Sequence, residues 1–371
     1  MRILVAPDSF KGSIGAAEAA AALASGWRSA RPGDDLVCLP LADGGEGTLQ
    51  VLAAADATAR WHRSPVTGPD GRTVTGSWLE RDTVAFIELA QASGLPLMAA
   101  PDPLGAQTTG TGELIARALD AGARRIVITL GGSASTDGGA GALAALGARF
   151  LDRSGGELPP GGGALSRLAS ADLTPLRQPP PGGVACLTDV RAPLLGPRGA
   201  AAVFGPQKGA DAGQVALLEA ALTRLAQVLG GDPDAAGAGA AGGTAYGFAA
   251  AWGAAITPGA AEICRVAGVD GEVHRSDLVL TGEGRYDASS ADGKIPGAVL
   301  AAAAAAGVPA VLVAGVIDGD PPPDVAAVVA LADLAGSPAA AMAAPAPWLR
   351  AAGKALALEL PASPARQRAA P

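Results

Sequence analysis

The sequence has few of the residues on which histidine, zinc and disulfide sites depend. Its 371 residues include two isolated histidines, His62 and His274, and three cysteines that lie far apart. Neither set has the spacing of a zinc site or of a disulfide framework. We therefore expect no histidine-based triad, and we interpret Cys38, Cys186 and Cys264 as buried thiols of a protein from a reducing compartment.

Positive charge is also scarce. The 27 lysines and arginines are outnumbered by 35 aspartates and glutamates, and the formal net charge is -8. Binding to nucleic acid needs clustered lysine and arginine, which the sequence lacks. We therefore expect small-molecule partners and no nucleic acid, and the sequence allows a homodimer.

Hydrophobic residues make up 49% of the chain, yet no segment predicts a membrane helix. The apolar run at the N-terminus ends at Pro7 and is too short for a signal peptide. Residues 298–317 carry no charge, but their first half is mostly alanine, and Gly307 and Pro309 interrupt them. We interpret this segment as a buried helix followed by a strand, and we expect a cytoplasmic protein with no membrane partner.

The order of apolar runs predicts an α/β fold with two domains. Strands alternate with helices at both ends of the chain, as in a parallel sheet, whereas residues 64–89 indicate an antiparallel meander. We predict a Rossmann-like domain formed by both chain ends, residues 1–63 and 268–371. Residues 64–267 are predicted to form an inserted α/β domain containing antiparallel strands. We expect the active site in the cleft between the two domains.

Acidic residues follow five of the predicted strands. They are Asp8, Asp43, Asp137, Asp189 and Asp287. Any one of them alone is more often a helix N-cap or a turn former. Because ligands of parallel α/β sheets lie at the carboxyl ends of the strands, the five together indicate carboxylates at a ligand site.

The stretch from Asp277 to Gly297 combines a strand, a glycine-rich turn and the start of a helix. We predict the strand at 278–280, after which glycines alternate with charged residues: Gly282, Glu283, Gly284, Arg285, Asp287, Gly293 and Lys294. The backbone N–H groups of such a turn, with the positive end of the next helix, favour an anion. For a single turn, a tight connection with solvated charges is the commoner explanation, but the chain has four more turns of this kind.

Lysine is rare compared with arginine. The chain has only four lysines, and three of them, Lys11, Lys208 and Lys294, lie in glycine-rich turns, whereas Lys354 lies on the last predicted helix. A compact ammonium suits a point contact to a phosphate or carboxylate oxygen where a guanidinium is too large. The alternative is that lysines fall in turns by chance because turns are exposed.

Standard nucleotide fingerprints are missing. The chain has no G-x-x-x-x-G-K-[ST] sequence, and in TGEGRYD Asp287 stands where the dinucleotide fingerprint has its third glycine. Carboxylates combined with lysines instead fit phosphoryl transfer. In that reaction the protein positions two anions, binds a divalent ion and supplies a base for the acceptor hydroxyl.

Six motifs extend the argument over nearly the whole chain. They are APDSFKGS, ADGGEGT, GTGEL, GGSASTDGG, TDVRAPLLGPRGAAAVFGPQKGA and DLVLTGEGRYD. With these motifs in this order, the sequence resembles the type I glycerate kinase family. The resemblance implies two α/β domains, one of them built from both chain ends, and phosphorylation of glycerate with ATP and Mg2+.

The resemblance and the residue pattern together predict roles for individual residues. Catalysis is assigned to Asp189, Asp287 and Lys11, with one of the two aspartates as the base. Binding of substrate and phosphate is assigned to Asp8, Ser9, Ser133, Asp137, Lys208, Gly282, Glu283, Gly284, Arg285 and Lys294. The metal is assigned to Asp43 and Glu46.

The chain departs from the family pattern at two places. Ser289 and Ser290 stand where relatives usually have Gln-Thr, and Thr136 stands where they usually have Asn. These changes bear on substrate range more than on reaction class. Two other functions stay open, a non-catalytic sensor of a small carboxylate and a hydroxy-acid dehydrogenase, as does the hydroxyl that receives the phosphate.

Overall fold

The computed structural model describes residues 1–45, 47–56, 58–287, 290, 294–321, 323 and 325–361. The strands are β1 (Arg2–Val5), β2 (Asp35–Cys38), β3 (Arg60–Thr67), β4 (Thr73–Arg81), β5 (Val84–Glu88), β6 (Arg125–Thr129), β7 (Arg149–Leu151), β8 (Ser170–Asp172), β9 (Val184–Leu187), β10 (Ala255–Thr257), β11 (Leu278–Asp287), β12 (Ala310–Asp318) and β13 (Ala327–Ala330).

The α-helices are α1 (Ala16–Ala30), α2 (Thr48–Ala55), α3 (Ala90–Ser93), α4 (Thr109–Asp120), α5 (Ala140–Ala145), α6 (Ala200–Phe204), α7 (Ala212–Leu229), α8 (Ala240–Trp252), α9 (Gly259–Ala267), α10 (Val269–Arg275), α11 (Ile295–Ala305), α12 (Leu331–Ala335), α13 (Pro338–Ala343) and α14 (Pro345–Glu359). Short 3-10 helices occur at Leu95–Leu97, Gly162–Arg167 and Pro206–Lys208.

The first compact unit contains residues 1–43 and 259–371. Its sheet has the order β13-β12-β11-β1-β2, and each neighbouring pair is parallel. The prediction of a parallel sheet built from both chain ends is therefore confirmed. The sequences of these strands are apolar runs because helices cover both faces of the sheet.

Alternating side chains of these strands lie in different layers. Ile3 and Val5 pack in one apolar cluster with Leu23 of α1 and Leu356 of α14. Leu4, which lies between Ile3 and Val5, points to the opposite face and is also fully buried. Helix α11 packs against both β11 and β12.

The sheet order places a topological switch point between β1 and β11. From β1 the chain continues through α1 to β2 at one edge, and from β11 it continues through α11 to β12 in the other direction. In open α/β sheets the carboxyl ends of two such strands border a crevice that binds ligands. The crevice is therefore formed by two strands that come from opposite ends of the chain.

The second compact unit contains residues 44–258. Its main sheet has the order β10-β9-β6-β5-β4-β3, in which β3, β4 and β5 pair antiparallel and the remaining neighbours pair parallel. The predicted antiparallel meander is thus confirmed as one edge of a mixed sheet. The core is built largely from this sheet and from α4 and α7, with Leu114, Ile128 and Leu222 fully buried.

The unit boundaries differ from the predicted domain boundaries at 63/64 and 267/268. Residues 44–63 belong to the second unit because α2 packs against β4 and β5. Residues 259–267 belong to the first unit because α9 packs against α11. Local composition did not reveal these two packing partners.

The uncharged segment 298–317 has the predicted form. Helix α11 ends at Ala305, and β12 begins at Ala310. Among the residues that the structure describes, no helix is long and apolar enough to span a bilayer. All three cysteines are free thiols, but only Cys186 is buried, so the prediction of burial was wrong for the exposed Cys38.

Candidate active site

A pocket of about 430 Å3 lies in the first unit at the carboxyl ends of β1, β11 and β12. It therefore occupies the switch point of the sheet. Its polar lining comes from the segment after β1 and from the end of β11 and the start of α11: Ser9, Lys11, Ser13, Glu283, Arg285, Asp287 and Lys294. Of the sites predicted in the first unit, the structure brings Ser9, Lys11, Glu283, Gly284, Arg285, Asp287 and Lys294 together around one pocket.

The segment TGEGRYD is a strand and not the predicted glycine-rich turn. Strand β11 continues to Asp287 because it pairs with β12 as far as Asp318. Gly282 is required there, since a Cβ at this position would lie 1.9 Å from the carbonyl oxygen of Val313. Its own carbonyl accepts a hydrogen bond of 2.8 Å from the N–H of Asp8. Gly282 therefore serves strand contact and positions Asp8, whereas Gly284 lines the pocket.

Three acidic side chains meet near this edge: Asp8, Asp43 and Glu283. Asp8 is only 3% exposed and Glu283 6%. Burial raises the pKa of Asp8 to about 7, and the negative charges of Asp43 and Glu283 add to this effect. Burial likewise raises the pKa of Glu283, with a smaller contribution from Asp287. These acids are held together against their mutual repulsion, which is typical of functional sites.

Cationic side chains accompany the acids. The Nζ atom of Lys11 lies 2.6 Å from Asp43 Oδ2, although the lysine side chain is 69% exposed. Lys294 Nζ lies 3.7 Å from Asp287 Oδ1. Arg285 forms an ion pair with Asp318. The pocket thus offers positive groups to an anion while its carboxylates remain nearby.

Ser290 links two of the charged residues. Its Oγ accepts a hydrogen bond of 3.0 Å from the N–H of Asp287 and one of 3.5 Å from Lys294 Nζ. The side chain is fully buried. Ser290 therefore positions Asp287 and Lys294, a role that the sequence did not reveal. Ser289, Gly293 and Glu46, the predicted metal ligand, lie outside the described residues.

In the second unit, Asp137 is fully buried and its carboxylate is occupied by hydrogen bonds. It accepts from the N–H and Oγ1 of Thr108 at 3.0 and 2.7 Å, and from the N–H groups of Gly139 and Gly141 at 3.2 Å each. These contacts hold the start of α5 against the start of α4. The geometry gives Asp137 a structural task as a cap, which is the common role of an aspartate in such a turn.

Lys208 is also buried, at 2% exposure. Its Nζ donates a hydrogen bond of 2.5 Å to the carbonyl oxygen of Ser135, and burial lowers its pKa to about 8 while Asp137 opposes the shift. Ser133, 9% exposed, forms a backbone bridge with Gly94. The buried Lys208 thus stabilises the turn 133–137 through this hydrogen bond.

Asp189 follows β9 and is partly exposed. Because β5, β6 and β9 are parallel neighbours, the ends of these strands meet at the same edge of the second sheet. Glu88 ends β5 there, is 2% exposed, and accepts hydrogen bonds from the N–H groups of Gly47 and Leu49 at the start of α2. Glu88 is not among the residues predicted from sequence, although an acidic residue so close after the apolar run VAFI could have indicated it.

A metal site is not preformed in the part of the chain that the structure describes, where no group of three or more histidine, cysteine, aspartate or glutamate side chains is arranged to hold an ion.

The fold and this pocket are typical of α/β enzymes that bind anionic small molecules at the switch point of a parallel sheet. Comparison with known families makes the assignment specific. The chain belongs to the glycerate kinase family, whose model matches residues 3–360.

Individual relatives agree with this assignment. The chain is 46% identical to the glycerate kinase of Bacillus subtilis over 333 residues, which is 86% of each chain. It is 43% identical to the glycerate 2-kinase of Escherichia coli over 308 residues, 80% of each chain. A crystal structure from Salmonella typhimurium LT2, assigned as glycerate kinase 2, has a TM-score of 0.82 and 38% identity and covers 96% of this chain and 97% of its own.

Proposed function

We propose that the protein transfers a phosphoryl group from ATP to a hydroxyl of glycerate. The observation that carries this proposal is the family match over residues 3–360 in a chain whose switch-point pocket combines lysines with carboxylates. A carboxylate sensor gains nothing from acids in its site, because like charges repel. A dehydrogenase needs a dinucleotide fingerprint, which the chain lacks.

Lys11, Lys294 and Arg285 contact the anionic substrates in this proposal. All three line the pocket, and each is held by a carboxylate that a phosphate can replace as partner. Ser9 adds a hydroxyl at the same wall. Phosphoryl transfer depends mainly on positioning and on stabilising negative charge, which these groups supply.

Mg2+ is proposed to bind with the substrate phosphates as part of its ligand set, because Asp8, Asp43 and Glu283 offer carboxylates here but do not form a complete ion site by themselves. Carboxylate oxygens are its preferred protein ligands. Glu283 Oε1 is buried and accepts no hydrogen bond from any described residue, which leaves an oxygen available to a cation. When bound, the ion supplies positive charge that offsets the phosphates and the three carboxylates.

The base that accepts the proton from the glycerate hydroxyl is proposed to be Asp287 or Asp189. Asp287 lines the switch-point pocket and lies beside Lys294, which favours its ionised form. Asp189 is at the carboxyl end of β9 and is partly exposed. We assign Asp137 and Lys208 to positioning of the turn 133–137 and not to direct contact with substrate.

The name of the Escherichia coli relative specifies transfer to the 2-hydroxyl. We extend that position to this chain as part of the proposal, with 2-phosphoglycerate as the product. The predicted cytoplasmic location and the homodimer stay predictions.

A coupled assay of ATP consumption tests the proposed function. Turnover is expected with glycerate and Mg2+ together, and not with lactate, glycolate or tartronate in place of glycerate. Lys294→Ala should lower kcat/KM, whereas Lys354→Ala, an exposed lysine on α14, should not. Product identification by NMR decides the hydroxyl. Undiminished turnover in excess EDTA would exclude the metal role.

A further inference from the structure

The switch-point pocket has an apolar wall as well as a polar one. The apolar side chains come from α12, α13 and the start of α14: Leu331, Pro338, Ala341, Met342 and Pro345. Leu331 and Ala341 are 1% and 4% exposed, whereas Met342 is 57% exposed and lies at the rim. None of these five side chains carries a charge or a strong hydrogen-bonding group.

Glycerate cannot account for this wall. The molecule consists of a carboxylate and two hydroxyls on a short carbon chain, so it has almost no apolar surface to bury. The pocket, of about 430 Å3, therefore has one side of apolar surface that contact with glycerate does not explain.

We infer that the apolar wall binds the adenine base of ATP, with the triphosphate directed toward Lys11 and Lys294. This inference rests on the proposed function, which supplies the two substrates. Of these, only ATP has a flat, weakly polar surface, and that surface is its base. The polar groups of the same pocket lie on the residues after β1 and at the end of β11, where phosphates find cations.

Segments from both ends of the chain contribute to this one pocket. The polar wall combines Ser9, Lys11 and Ser13, which follow β1, with Glu283, Arg285, Asp287 and Lys294, whereas the apolar wall comes from α12, α13 and the start of α14. All of them belong to the first compact unit. The Rossmann-like unit is therefore the nucleotide-binding part of the enzyme.

Two uncharged substitutions test the inference without adding charge near the phosphates. Ala341→Leu places extra volume in the wall, and Met342→Ser removes apolar surface at the rim. Leu358→Ser is the matched control, because Leu358 is 67% exposed on α14 and does not line the pocket. Each variant is first checked by its melting temperature against the unaltered protein.

Affinities for ATP, adenosine and inorganic tripolyphosphate are then measured by calorimetry in the presence of Mg2+. The unaltered protein should bind ATP at least tenfold more tightly than tripolyphosphate, because burial of the base adds to the phosphate contacts. Ala341→Leu should weaken ATP binding about tenfold or more and Met342→Ser about three- to tenfold. Both should leave tripolyphosphate within about twofold, and Leu358→Ser should change neither ligand.

The inference is overturned if ATP and tripolyphosphate bind the unaltered protein equally, or if Met342→Ser and a folded Ala341→Leu both keep ATP affinity within about twofold. Should Ala341→Leu fail to fold, Met342→Ser alone decides. These outcomes are separate from failure of the proposed function. That failure would appear as ATP binding with no glycerate-dependent turnover, and the binding measurements would still test the base site.

Discussion

The buried lysine of the second unit leads to a prediction about stability and pH. Lys208 is 2% exposed and has no carboxylate within ion-pair distance among the described residues; its hydrogen bond goes to the carbonyl oxygen of Ser135. Burial without a paired anion disfavours the charged form, which is why the pKa falls to about 8. The free energy of unfolding should therefore depend on pH through Lys208. We expect Lys208→Met to abolish this dependence while keeping most of the volume of the side chain.

The magnitude follows from the two pKa values. A change from 10.5 to about 8 corresponds to about 3 kcal/mol at about 1.4 kcal/mol per pH unit. Between these pH values the unfolded chain binds the proton and the folded chain does not, so stability rises with pH and the cost of burying the charge disappears. Below pH 8 both states are protonated, and the full cost remains.

Lys208→Met has no ammonium charge to bury, so it gains the stability that this charge costs the unaltered protein. It also leaves the Ser135 carbonyl oxygen without its hydrogen-bond donor, at a cost of about 1–3 kcal/mol. Near pH 7 the gain and the loss largely offset each other, and the variant should be as stable as the unaltered protein or slightly more stable. At pH 10.5 the unaltered protein should be more stable by about 1–3 kcal/mol, because its neutral amine still donates to Ser135.

Equilibrium urea unfolding at several pH values from 7 to 10.5 measures the difference between the two proteins. Other titrating groups are common to both and cancel in the difference. Lys354→Met, at an exposed position, is the control and should show no trend. A difference for Lys208→Met that stays constant within about 0.5 kcal/mol over this range would refute the reasoning, since it would mean an ordinary lysine pKa in the folded state.

Two further predictions concern catalysis and the sheet. Asparagine in place of the true base, at Asp287 or Asp189, should lower kcat by about two to four powers of ten with little change in KM; steady-state kinetics in which both variants keep kcat within about threefold would rule out both residues. Gly282→Ala should lower the free energy of unfolding by about 3 kcal/mol or more, because its Cβ would lie 1.9 Å from Val313 O. Gly15→Ala is the control, having no atom within 4 Å of its added Cβ, and equal melting temperatures for the two variants would contradict the close approach.

Much of the fold could be predicted from local sequence. The apolar run in β1 and the uncharged segment broken by Gly307 indicated buried strands and a helix, because periodicity and chain-breaking residues act within a few positions. The alternation of strands and helices at both chain ends predicted the parallel sheet. Asp8 and Asp43 follow β1 and β2, and Asp287 ends β11, so these three predicted acids lie toward one edge of the sheet because parallel strands end on the same side.

Only the tertiary structure decided which of these residues share an environment. Asp8 and Glu283 are far apart in sequence, and they meet because β1 pairs with β11; their raised pKa values come from that burial and proximity. Three lysines looked alike in their turns, yet Lys11 is exposed and Lys208 is buried. Gly282 serves the contact with β12 and not a turn. Burial, pKa and close approach depend on neighbours in space, which local sequence patterns do not specify.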